Sequence, residues 1–153
     1  MATKLHTIKT NIQAVLETCR RKEYVRTVIV DDFKKSVFER DIPRYPAAIL
    51  TTPTIDSIAE TNKHNLRTYT FEILFLMKGD DVNDPTEVEE LIENILNEFD
   101  NDVTLKGTTS EGAADGGVEP SSSTPEAIKS GDRTYIAFSV ILRAKALREI
   151  TVT

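Results

Sequence analysis

The sequence predicts an α+β fold, a mostly antiparallel sheet of four to five strands with two amphipathic helices packed on one face. Three observations predict it. Two segments, one near the N-terminus and one after Asp84, repeat apolar residues at three- and four-residue steps. Two others, Leu66 to Met77 and Arg133 to Leu147, carry alternating large apolar and β-branched residues over strand lengths. In the order helix, strands, helix, strand, one apolar sheet face is enough to bury both helical stripes. The 153 residues fit one domain spanning 1–153, and a hydrophobic share of 39% supports a packed core rather than a disordered chain.

The first helix rests on Leu5, Ile8, Ile12, Val15, Leu16 and Cys19, a single stripe about five turns long. Tyr24 to Val30 is rich in β-branched residues and reads as a strand ended by Asp31-Asp32. Phe33 to Tyr45 is ambiguous, with Phe38 and Ile42 as its anchors. Ala47 to Thr52, bracketed by Pro46 and Pro53, reads as a short strand, the prolines marking a sheet edge or a strand end. Thr54 to Asn65 is polar and reads as a connection. In Leu66 to Met77, Tyr69, Phe71, Ile73, Phe75 and Met77 share one face, and Leu74 and Leu76 add burial on the other towards the end.

After a turn at Gly79 to Asn83, Asp84 as N-cap, Pro85 as first helical residue and Glu87 three positions beyond the cap mark a helix start. Val88, Leu91, Ile92, Ile95, Leu96 and Phe99 follow on one face, and the helix ends near Asp100-Asn101. Val103 to Leu105 reads as a brief strand. Thr108 to Asp132 is rich in Gly, Ser, Thr, Pro and acid. It reads as a long flexible acidic loop, or a segment ordered only by a partner. Arg133 to Leu147 closes the chain as a strand. The order of strands in the sheet does not follow from these patterns.

The residues needed for chemistry do not converge. Only His6 and His64 are available as imidazole bases, one on the first helix and one beside Asn62 and Asn65, and neither has a nucleophile motif around it. With one cysteine there is neither a disulfide framework nor a thiolate metal site, and Cys19 on its stripe reads as a small buried hydrophobe. Asp100 to Glu111 has the spacing of a calcium loop, but Leu105 stands where that loop needs glycine. Gly116-Gly117 lacks the strand, helix and lysine of a phosphate loop. The sequence therefore predicts a non-enzyme without cofactor or metal.

Charge is unevenly spread. Residues 1–45 carry ten Lys and Arg against six Asp and Glu, and the remainder nine against nineteen, for a net of −6. Such a chain is poorly suited to gripping nucleic acid, which needs clustered cations. Arg20-Arg21-Lys22 sits where cations complement the end of a helix. Asp80 to Asp102 holds ten acids and no Lys or Arg, read as a solvated helix face or as a surface that repels DNA or docks a basic partner. No charged-then-apolar leader opens the chain, and no apolar run approaches a bilayer span. The expected setting is a reducing, cytoplasm-like compartment.

The arrangement has a counterpart. A leading amphipathic helix precedes Arg44-Tyr45-Pro46-Ala47-Ala48-Ile49. The aromatic strand Asn65-Leu66-Arg67-Thr68-Tyr69-Thr70-Phe71-Glu72-Ile73, the capped acidic helix, Asp102-Val103-Thr104-Leu105 and a last strand ending near Leu147 follow. Apart from Thr108 to Asp132, this order resembles the tail-terminator, or tail-completion, proteins of long-tailed bacteriophages. The resemblance lies in arrangement and not in any single motif. It implies a non-enzymatic virion subunit, assembled in the host cytoplasm, that forms a homo-oligomeric (hexameric) ring at the head-proximal end of the tail. Such a ring caps the tail tube, stops its polymerisation and meets the head-neck connector, with DNA only passing through its channel and no membrane involved. Because the family works through ring faces, it carries over few residues. The resemblance leaves Asp80, Asp81, Glu87 and Glu90 as an acidic surface facing the lumen or a partner. Glu111, Asp115, Glu119 and Glu126 fall on a loop touching a neighbouring subunit or the tube. The other reading of the same features is a small non-catalytic ligand-binding or regulatory module.

Overall fold

Two long antiparallel strands, β4 (His64–Lys78) and β7 (Arg133–Glu149), pair along fifteen residues of β4 from His64↔Glu149 to Lys78↔Tyr135. The computed structural model describes residues 4–30, 42–51, 53–59, 64–101 and 117–149. Each long strand is flanked by two short strands laid end to end. On the outer side of β4, β2 (Ala47–Leu50) pairs with Ile73 to Leu76, and β3 (Thr54–Ala59) pairs with Asn65 to Thr70. On the outer side of β7, β5 (Gly117–Ser122) pairs with Val140 to Lys145, and β6 (Glu126–Ser130) pairs with Arg133 to Ala137. A further strand, β1 (Thr27–Val30), runs parallel to β2.

The steps between collinear strands are bridged by hydroxyl residues. Thr51 donates to the Glu72 carbonyl from its backbone N–H (3.3 Å) and its Oγ1 (3.0 Å). On the other side the Ser123 backbone N–H donates to the Ser139 carbonyl (2.8 Å), and the Ser139 N–H donates to Ser123 Oγ (2.8 Å). Backbone polar groups that a break in the short strands would strand are thereby satisfied.

Both helices, α1 (Lys4–Arg21) and α2 (Pro85–Asp100), lie on the same face of the sheet, as the sequence predicts. The core between them takes Ile8, Ile12, Leu16 and Cys19 from α1 and Val88, Ile95 and Phe99 from α2. The sheet contributes the odd residues of β4 and the even residues of β7. Phe75 and Phe138 stack there with ring centroids 5.0 Å apart and an interplanar angle of 12°. Each such fully buried side chain contributes about 1.5–3 kcal/mol before chain entropy is subtracted. A second, smaller cluster of Leu76, Tyr135 and Ala137, with Ile42, Tyr45, Leu74 and Ile128 against it, sits on the opposite face.

Several expectations are corrected. Among the described residues the sheet has seven strands and is mixed, because β1 joins β2 in parallel, where four to five mostly antiparallel strands were expected. The polar connection from Thr54 contains β3. The expected loop 108–132 contains β5 and β6, joined to β7 by a two-residue turn with Gly131 at φ +63°. Gly117 to Ser130 needs almost no core of its own, because its backbone bonds to the long β7 carry it and Val118 alone is buried. Tyr24 to Arg26 lie in the turn after α1, so the strand expected from Tyr24 begins only at Thr27. Phe33 to Phe38, Val103 to Leu105 and 108–116 lie outside the described residues. No helix among the described residues is long and apolar enough to cross a membrane.

Candidate functional site

The acidic surface is organised by the passage from β4 into α2. Lys78 ends the strand, and the chain tightens into a 3-10 turn over Gly79–Asp81. Gly79 is required there because a Cβ would come within 2.9 Å of the Thr134 carbonyl oxygen. Asp80 and Asp81 both lie exposed on this turn. Asp84 caps α2, its Oδ1 accepting from the Thr86 N–H at 3.0 Å, and Pro85 opens the helix. Glu87 reaches back as expected of a capping residue, but it accepts from the Asn83 N–H at 3.3 Å, one residue before the cap.

Opposite this ridge stands the end of α1. The Tyr24 N–H bonds to the Cys19 carbonyl (2.9 Å) and the Glu23 N–H to the Arg20 carbonyl (3.0 Å), a Schellman closure. Glu23 occupies its left-handed position at φ 64°, where glycine is usual. Lys22 crosses to Glu98 of α2 in an ion pair, which ties the two helices together and raises the lysine above its ordinary range. Burial, with Glu98 nearby, pushes the Cys19 thiol up to about 12, consistent with a packing role.

Between these walls lies an open cleft of about 690 Å³. Asp80, Asp81, Glu87 and Glu90 line it together with Glu23, Arg26 and Tyr45, and Met77, Lys78 and Val88 complete the lining. The Lys78 ammonium lies 5.2 Å from the centroid of the Tyr45 ring, and that ring packs beside Tyr135 with centroids 5.9 Å apart. Five carboxylates face two cations here, so the cleft suits a cationic or hydrogen-bond-donating group of a partner. Beyond the cap, a shallower groove of about 450 Å³ has an apolar floor of Val82, Pro85, Val88, Pro125 and Ile136. Its charged rim consists of Asp84, Glu89 and Glu126.

The four acids singled out on the ridge therefore meet at one cleft. The four placed on the expected loop do not form a group. Glu119 lies on β5, half-neutralised by Lys145 at 2.9 Å, and that hydrogen bond and charge, with Arg143 beside them, hold its carboxyl below the usual range. Glu126 begins β6 at the second groove, while Glu111 and Asp115 lie outside the described residues. Sequence reasoning missed Glu23, Tyr24, Arg26 and Tyr45 as the opposing wall. The available signal was Arg20-Arg21-Lys22 at a helix end, which implies a tight reversal directly afterwards. Among the described residues no three His, Cys, Asp or Glu side chains are placed to hold a metal ion. Neither a comparison with models of known protein families nor one with curated proteins finds a match to this chain.

Proposed function

We propose that this chain is a structural subunit of a phage-like virion, a ring-forming tail terminator that caps the tail tube and meets the head-neck connector. The observation that carries the reading is where the molecule keeps its uncovered surface. Helices cover one face of the sheet, while an acidic ridge and a sheet edge bearing Ile55 and Ile58 (49% and 63% exposed) face outwards. An acidic ridge bordering a channel would repel a passing polyanion instead of holding it, and open edges suit closure by neighbouring copies. In this reading the ridge faces the lumen or the connector, and DNA is only a passenger.

The test is capping. Purified protein added to growing tail tubes should halt elongation and decorate one tube end in negative-stain images, while tubes that lengthen undisturbed would count against the proposal. A second reading, a small non-catalytic ligand-binding or regulatory module, draws on the 690 Å³ cleft. It is favoured instead if a small polyamine or guanidinium compound raises the melting temperature at micromolar concentration and the ridge variant Asp80→Asn/Glu87→Gln abolishes that shift.

A further inference from the structure

The pairing registers place β3 and β5 at the same level on opposite edges of the sheet. Ile55, Tyr69, Ala144 and Val118 form one row across it. Thr54, Thr70, Arg143 and Glu119 form the next, and Asp56, Thr68, Lys145 and Gly117 a third. Because β3 is antiparallel to β4 and β5 is antiparallel to β7, β3 and β5 run in opposite directions. Neither has a strand on its outer side among the described residues. Two copies set side by side in the same orientation, as in any head-to-tail ring, would bring β5 of one against β3 of the next with level and direction already matched for an antiparallel ladder.

We infer that copies of this chain join edge to edge, β5 of one subunit pairing with β3 of the next so that the sheet runs on from subunit to subunit. The inference rests on the ring reading above and names its contact. In the matched register Val118 faces the neighbour's Ile55, Glu119 faces its Thr54, and Gly117 faces its Asp56. On the helix side the apolar row then continues without a break from Ala144 through Val118 to Ile55 and Tyr69 of the next copy. On the other side, Asp56 is the only charge on β3, and it arrives beside Gly117, which has no side chain to block it. The strip it meets carries Arg143 and Lys145 against Glu119, two cations to one carboxylate. Strands lie about 4.8 Å apart, so a lysine two strands away is within reach of that carboxylate.

The two edges also differ in how they are guarded. β3 has no Pro or Lys, its one charge is Asp56, and the side chains of Thr54 to Ile58 are all exposed, which leaves its edge lightly guarded. β5 carries Pro120, which has no N–H to donate. It sets one end of the new ladder at Glu119, and among the described residues Gly117–Glu119 are level with β3.

The test uses the full chain, whose native Cys19 is buried and does not interfere. Thr54→Cys/Glu119→Cys, oxidised under mild conditions, should give a ladder of covalent multimers on a non-reducing gel, collapsing to 17.1 kDa on reduction. A mixture of the two single variants should give dimers and nothing larger. Ile55→Lys, folded by circular dichroism, should lose the multimer peak in size exclusion. Cross-linking of Ser57→Cys to itself would mean that β3 pairs with its own copy, and would overturn the inference. So would a wild-type multimer whose mass is unchanged by Ile55→Lys and whose double-cysteine variant forms no ladder; that result leaves the ring reading intact. A wild-type protein that stays at 17.1 kDa at every concentration would overturn both.

Discussion

Strand β4 is one continuous strand with two different lives. From Phe71 to Met77 its odd residues are buried under the helices, at 5% exposure or less. From Asn65 to Thr70 it runs on towards the end flanked by β3, where Tyr69 is the last fully buried side chain and Arg67 sits half-buried. One half is built as core, while in the other Tyr69, Ala144, Ala146 and Val118 still close the core on the helix side and the outer strand β3 is exposed along Thr54 to Ile58. Stability therefore belongs mainly to the covered half, and the exposed side chains of β3 at the edge of this wing are available for contacts with other molecules.

Substitutions should separate the two halves. The largest effect is expected at Phe75, stacked on Phe138. Phe75→Ala should cost about 3–5 kcal/mol in a denaturant titration, enough to unfold a marginal domain. Asp84→Ala removes the cap of α2 and should cost about 1 kcal/mol, measured the same way. Glu23→Gly relieves a left-handed residue at the end of α1 and should stabilise by up to about 1 kcal/mol, the reverse sign of most substitutions. In the wing, Ile58→Ser should change the stability of the separated subunit by no more than about 0.5 kcal/mol. A loss as large as that at Phe75 would show that the wing is core after all.

The wing also has a pH signature. The Glu119 carboxyl is held low by its hydrogen bond to Lys145, then by the charges of Lys145 and Arg143. A lowered folded pKa contributes stability above the ordinary carboxylate range, and that stability is lost as pH falls through the depressed value. Carboxyl NMR should place the Glu119 midpoint below that of an exposed glutamate, and Lys145→Ala should return it towards normal.

Legibility in the sequence followed burial. Helices α1 and α2 and the long strands were readable because each shows one apolar stripe to one core, and their periods of 3.6 and 2 survive in the sequence. Strand β3 was invisible for the opposite reason. Ile55 and Ile58 lie on opposite faces of a strand that has no core beneath it, so no alternation arises. Strands β5 and β6 carry Gly, Ser, Glu and Pro because the backbone of β7 holds them in place, which makes them look like a loop. The acidic ridge was readable as a run of charge. Its opposing wall was not, since Glu23 and Tyr45 are 22 residues apart in sequence and meet only through the closure of α1 and the placement of β2.

The proposed function requires contacts between copies, made through the uncovered part of the sheet. Native mass spectrometry of the unmodified chain across a hundred-fold range of concentration tests it most directly. A closed oligomer of discrete mass, several times 17.1 kDa, is expected at the higher concentrations. A single species at 17.1 kDa throughout would contradict it.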